Sequence, residues 1–145
     1  MNFLIPSFQI CASGLEAQRI RMDLTSSNLA NAQTTHGPDG KPYQKLRPIF
    51  VTEAVDAGST FTTAMDQELK KVAVQGIEKD QTPPRQVYDP GHPDADKRGF
   101  VSLPNINLME EMADMLLATR AYEANVTAFN VSKSLAMSAL GLGKV

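Results

Sequence analysis

The chain has 145 residues, 42% of them hydrophobic and 21% charged, which leaves room for one domain with a core and too little for two full ones. Fourteen Lys and Arg against 16 Asp and Glu give a net charge of −2 with the basic residues scattered, which excludes a nucleic-acid surface built on counterion release. A single cysteine, Cys11, excludes an intramolecular disulfide framework, and no window approaches the ~18 uninterrupted apolar residues of a membrane span.

The opening stretch, MNFLIPSFQICASG, is apolar and ends in small residues, as a secretory signal would. It has no basic leading region, because the first Lys or Arg is Arg19, and Pro6 interrupts the short apolar run, so no cleaved signal is expected. From there Phe8, Leu15, Met22 and Leu29 recur every seven residues, and the spacing predicts a helix over about 6–34, stopped by Gly37-Pro38. Asn28 and Asn31, like Asn125 and Asn130 near the other end, are neutral at best on a helix. They either face water or bond across helices and fix register.

All nine prolines lie at or before Pro104 and none between Pro6 and Pro38, so two segments poor in breakers enclose a middle rich in them. That middle, about 37–104, reads as turns and short strands: Tyr43 to Val51, a half-buried alternation at Val72, Val74 and Ile77, then Arg85 to Tyr88 and Phe100 to Leu103. Ala57 to Thr60 reads as a loop tip, and Met65 to Lys71 is open between strand and helix.

From Asn105 to Leu140 neither Pro nor Gly occurs, a run of 36 residues. As a helix it would be ~54 Å long. Alternate steps of four and three from Leu108 meet Met112, Met115, Thr119, Tyr122, Val126, Phe129, Lys133, Ala136 and Leu140, an apolar seam broken only at Thr119 and Lys133. Asn107 can cap the start with Glu110 as its capping-box partner, and Gly141 and Gly143 end it. Glu110, Glu111, Asp114 and Glu123 read as a solvated face, with Arg120 able to pair with Glu123.

These elements give an α+β chain: a helix in 1–36, a β-rich middle unit in 37–104, and a long helix in 105–145, the two terminal helices forming a coiled-coil-like core. The second helix outruns the first, and Met109, Ala113 and Leu116 widen its apolar arc. Either the chain is a self-contained helical hairpin with a β insertion, or its uncovered stripes meet other copies or related chains.

The segment Asp89-Pro90-Gly91-His92-Pro93-Asp94-Ala95-Asp96 is the one cluster in the sequence with the composition of a hard-cation site. A metal-dependent hydrolase could be built on Asp89, His92, Asp94 and Asp96. Pro90 and Pro93 favour instead a rigid turn made by Asp89, Pro90, Gly91 and Pro93. His36 reads as a loop residue and Cys11 as a small buried hydrophobe. No nucleophilic triad or phosphate-cradling glycine loop stands out, so no cofactor is expected.

Two sets of residues carry a family resemblance. Ser13 to Gln18 followed by Ser27-Asn28-Leu29-Ala30-Asn31-Ala32-Gln33-Thr34-Thr35 is similar to the N-terminal signature of the rod and hook proteins of the bacterial flagellum. Tyr88 to Asp96, Gly99-Phe100-Val101, Pro104 to Asn107 and Ala118 to Asn125 resemble the proximal-rod members of that family, over nearly the whole chain. The resemblance implies a non-enzymatic subunit of the basal-body rod, the torque-carrying shaft that crosses the periplasm. It implies helical self-assembly, with copies of itself and other rod proteins as partners, and passage through the flagellar type III export apparatus. The subunit-interface candidates are then Phe8, Leu15, Met22, Leu29, Asn28, Asn31, Leu108, Met112, Met115, Tyr122, Asn125, Val126, Phe129 and Leu140. A secreted helical-hairpin subunit of another needle or filament is the rival reading, and it predicts little β structure between Gly37 and Pro104.

Overall fold

The computed structural model describes residues 4–37, 39–55 and 69–142. Among them are two helices and four strands: α1 (Leu4–Ala30), β1 (Leu46–Ala54), β2 (Lys70–Lys79), β3 (Arg85–Tyr88), β4 (Phe100–Leu103) and α2 (Leu108–Leu142). This is the α+β arrangement expected, with the strands confined to the middle. The loop tip at 57–60, most of the open stretch before Lys70, and Gly143 lie outside the described residues.

The helix boundaries follow local chemistry. α1 ends at Ala30, four residues before the expected stop, because Asn31 turns its amide back onto the Ser27 carbonyl at 2.9 Å and its Oδ1 accepts the Thr34 hydroxyl at 3.2 Å. Such side-chain bonds offer the backbone an alternative to another helical turn. α2 begins where Asn107 Oδ1 accepts the Met109 amide at 3.1 Å, the N-cap expected. It continues through Gly141, which therefore does not end it.

The helices pack antiparallel. Phe8 meets Phe129 edge to face with ring centroids 5.1 Å apart, Arg21 pairs with Asp114 at 2.8 Å, and Asn28 bonds Glu111 at 3.0 Å. Midway, a Cβ placed on Gly14 would lie 3.0 to 3.2 Å from the Asn125 side chain, so the absence of a side chain permits this approach. Gly14→Leu is accordingly expected to force the helices apart and lower the melting temperature, the overpacking costing about 1–3 kcal/mol. Calorimetry of the full chain checks this, and an unchanged melting point would contradict the close approach.

The strands form two separate antiparallel ribbons. β1 pairs with β2, with Leu46 opposite Lys79 and Ala54 opposite Lys70, and a register shift where Ile49 faces Gly76 and Phe50 faces Val74. Gln75 is the extra residue there, a β-bulge, and Pro48, opposite Ile77, sits in a two-stranded ribbon whose strands are both edges. β3 pairs with β4 from Arg85 opposite Leu103 to Tyr88 opposite Phe100. The ribbon β1–β2 lies on α1, which is thus flanked by α2 and by the sheet. Its burial reflects that position: Ala17, Leu24, Thr25 and Asn28 are buried, whereas Phe8, Leu15, Met22 and Leu29 are half-buried.

Candidate functional site

Three parts of the molecule carry candidate function: the faces of α2, a buried polar junction where α1, β1 and α2 meet, and the loop between β3 and β4.

The line of α2 that presses on α1 is not the one its apolar period suggests. Glu111 and Ala118 are buried and Asn125 and Ser132 half-buried, a seven-residue repeat flanked by half-buried Met115, Tyr122, Phe129 and Ala136. The expected seam therefore splits. Its Met115, Tyr122 and Phe129 border the chain's own α1, whereas Leu108, Met112, Val126 and Leu140 are exposed. Exposure is high at Met109 (77%), Met112 (57%), Leu116 (60%) and Leu117 (60%). The contacts joining the helices bring Leu4 level with about residue 133 of α2. The last turns of α2, with Leu135, Met137 and Leu140 exposed, thus run past the described start of α1.

At the other end of the helix pair, Asn28 is 1% exposed and all its hydrogen-bonding capacity is engaged. Its amide donates to the Leu46 carbonyl and to Glu111 Oε2, both at 3.0 Å; its Oδ1 accepts the Leu46 amide at 2.9 Å and the Tyr43 hydroxyl at 3.0 Å. Lys45 forms an ion pair with Glu111, which is itself 1% exposed. Glu111 is thus not on a solvated face, and Asp114 is held by Arg21; of the four acids assigned to that face, Glu110 and Glu123 are exposed, Glu123 pairing with Arg120 at 3.1 Å. Lys45, Tyr43 and Glu111 were missed because their meeting depends on the path of the chain from α1 into β1, to which helical periodicity is blind. The available signal was two polar residues at register positions of facing helices, Asn28 and Glu111. Asn31 does not join the junction and serves the end of α1.

In the β3–β4 loop the carboxylates close the backbone. Asp89 Oδ1 accepts the Gly91 amide at 3.2 Å, with the His92 amide on the Asp89 carbonyl at 3.2 Å. Asp96 Oδ1 accepts from Arg98 at 2.8 Å and Phe100 at 2.9 Å. Gly99, at φ +83°, supplies the left-handed position, and a Cβ there would strike the Tyr88 ring at 2.9 Å. Pro90 sits against this point, so Asp89, Pro90 and Gly91 belong to one tight turn, and Pro93 follows in the same loop. His92 Nδ1 accepts the Asp94 amide at 3.1 Å. Asp94 takes the Thr35 hydroxyl at 2.6 Å and has His36 Nδ1 at 3.5 Å, so His36 helps tie the segment after α1 to this loop. Among the described residues no three His, Cys, Asp or Glu side chains converge as a ligand set. Cys11 is a free, half-buried thiol, and no described helix is long and apolar enough to cross a membrane.

Hydrogen bonds hold both acids below the usual carboxylate range: from the Thr35 hydroxyl for Asp94, and from the Phe100 and Arg98 amides for Asp96. A depressed native pKa means the contribution is complete above the ordinary carboxyl value of about 4 and is lost as pH falls through the lower native one. The Arg98 and Phe100 amide resonances are therefore expected to titrate together, with a midpoint below about 4. A midpoint at or above that value would contradict the bonding described.

Comparison with known proteins agrees along the length of the chain. Residues 8–38 match the family model described as flagella basal body rod protein, and residues 97–142 match that described as flagellar basal body rod FlgEFG protein C-terminal. The flagellar basal-body rod protein FlgC of Borreliella burgdorferi is 46% identical over 96% of this chain and 97% of its own. The protein of that name from Aquifex aeolicus is 42% identical over 93% of both chains, and that from Bacillus subtilis 38% identical over 95% of this chain and 97% of its own.

Proposed function

The chain belongs to the FlgC family of flagellar basal-body rod proteins, and from that premise we propose that it is a non-enzymatic subunit of the proximal rod, built into the shaft through its terminal helices. The observation that carries this reading is the apolar surface of α2 that no described element covers, from Leu108 and Met109 through Leu117 to Leu140. Exposed large apolar side chains in such number on one helix, interrupted midway by the exposed Arg120–Glu123 pair, mark a site of association. In an open helical arrangement it is met by neighbouring subunits and propagates until another protein caps the assembly.

In this reading Leu108, Met112, Val126 and Leu140 face other rod proteins or further copies. Phe8, Leu15, Met22, Leu29, Met115, Tyr122, Asn125 and Phe129 hold the chain's own helices together and present them as one unit. The β ribbons pack outside, with the turn at Asp89 to Pro93 setting how the β3–β4 hairpin projects. The rod crosses the periplasm, and the subunit reaches it through the type III export apparatus. The test is deletion of this gene in its own host followed by complementation. Restored swimming, with the chain present in purified basal bodies, is expected; a basal-body rod complete without it would overturn the reading.

A further inference from the structure

We propose that the Asn28–Glu111–Lys45 junction specifies register: it selects one antiparallel alignment of α1 on α2 among several that apolar packing alone would accept, and seats the β1–β2 ribbon on that alignment. The inference stands on contacts within one chain and does not depend on the rod reading.

The apolar part of the helix interface discriminates poorly. On α1, Phe8, Leu15, Met22 and Leu29 repeat every seven residues, and on α2 Met115, Tyr122, Phe129 and Ala136 do the same, so a slide of one repeat again sets apolar residues against apolar ones. Met22 Sδ beside the Thr119 hydroxyl at 3.5 Å is an adaptable contact, and the approach of Asn125 to Gly14 is the one central contact that also favours the native alignment. The junction does not tolerate such a slide. A seven-residue shift moves Glu111 about 10 Å along the axis, away from both Asn28 and Lys45, which remain with α1 and β1 through Leu46. It would leave buried polar groups without the partners they have now, a larger penalty than losing an ordinary hydrogen bond. Replacing a buried ion pair by apolar residues is often neutral for stability, so choice of register and stability can be separated experimentally.

The test compares two full-length variants by NMR, using the cross-peaks between the Phe8 and Phe129 rings as the register reporter. Lys45→Met with Glu111→Leu removes the pair and the bond from Asn28. Lys45→Met with Glu111→Gln removes the charges and keeps an acceptor for Asn28. The leucine variant is expected to stay folded and to show further sets of Phe8 and Phe129 cross-peaks at the expense of the native set; the glutamine variant is expected to keep the native set alone. A leucine variant with the native set alone, identical behaviour of the two variants, or a leucine variant that fails to fold while the glutamine variant folds would each overturn the proposal. So would the absence of the Phe8–Phe129 contact from the unmodified chain.

Discussion

Replacing Met109 and Leu116 together by aspartate is expected to leave the chain folded and to abolish its incorporation into the rod. Both side chains are more than half exposed and lie on a face of α2 turned away from α1. Their loss to the isolated fold should fall within about 0.5 kcal/mol each, as for other exposed positions. Aspartate at 109, in the first turn of α2, even suits the positive end of the helix. Once a neighbouring subunit covers that face, two carboxylates would be buried without partners, at several kcal/mol per copy. Because every copy repeats the contact, the loss multiplies along the shaft. Circular dichroism and melting should match the unaltered chain, while complementation fails to restore swimming. Normal motility would place the assembly contact elsewhere. Tyr122→Asp is the less clean choice, since Tyr122 borders α1 and its replacement would damage the subunit itself.

That difference between Tyr122 and Leu116 marks how much was legible in the sequence. Breaker distribution and period placed both helices, and the residues around Val72, Val74 and Ile77 placed β2 but not its faces, since Val72 and Ile77 are exposed and Lys71, Ala73, Val74 and Gly76 are half-buried; β3 and β4 lie at Arg85 to Tyr88 and Phe100 to Leu103 as read. A repeat of apolar residues identifies a surface that wants cover but does not say what covers it. In α2 more than one face is apolar, and the face turned to α1 is the one with the smaller and more polar residues, Glu111, Ala118, Asn125 and Ser132. Close approach at Gly14 requires small partners, so the bulky side chains are displaced to the flanks and to the outside. The β3–β4 loop was legible for a different reason: Asp, Gly and Pro act on their own backbone within a few residues, and such chemistry needs no knowledge of the fold. The junction at Asn28 needed that knowledge, because Lys45 reaches Glu111 across 66 positions of sequence.

Lys45→Met alone is expected to destabilise the chain far more than loss of the Arg21–Asp114 pair, which also holds α2. Lys45 and Glu111 side chains are 15% and 2% exposed, whereas Arg21 and Asp114, which join α1 to α2, are 32% and 43% exposed. Water screens the second pair, and Asp114→Asn should cost no more than about 1 kcal/mol. Without Lys45, the Glu111 carboxylate stays buried with the Asn28 amide as its remaining partner. Breaking a buried pair in this way costs about 3–5 kcal/mol. At roughly 2–4 °C per kcal/mol for a chain of this size, the melting temperature should fall by about 6–20 °C. Adding Glu111→Gln removes the stranded charge and keeps the bond from Asn28, so much of the loss should be regained. The decisive measurement is therefore a double-mutant cycle by calorimetry on Lys45→Met and Glu111→Gln. A coupling energy near zero, with Lys45→Met no worse than Asp114→Asn, would mean that the junction contributes no more than a solvent-exposed pair.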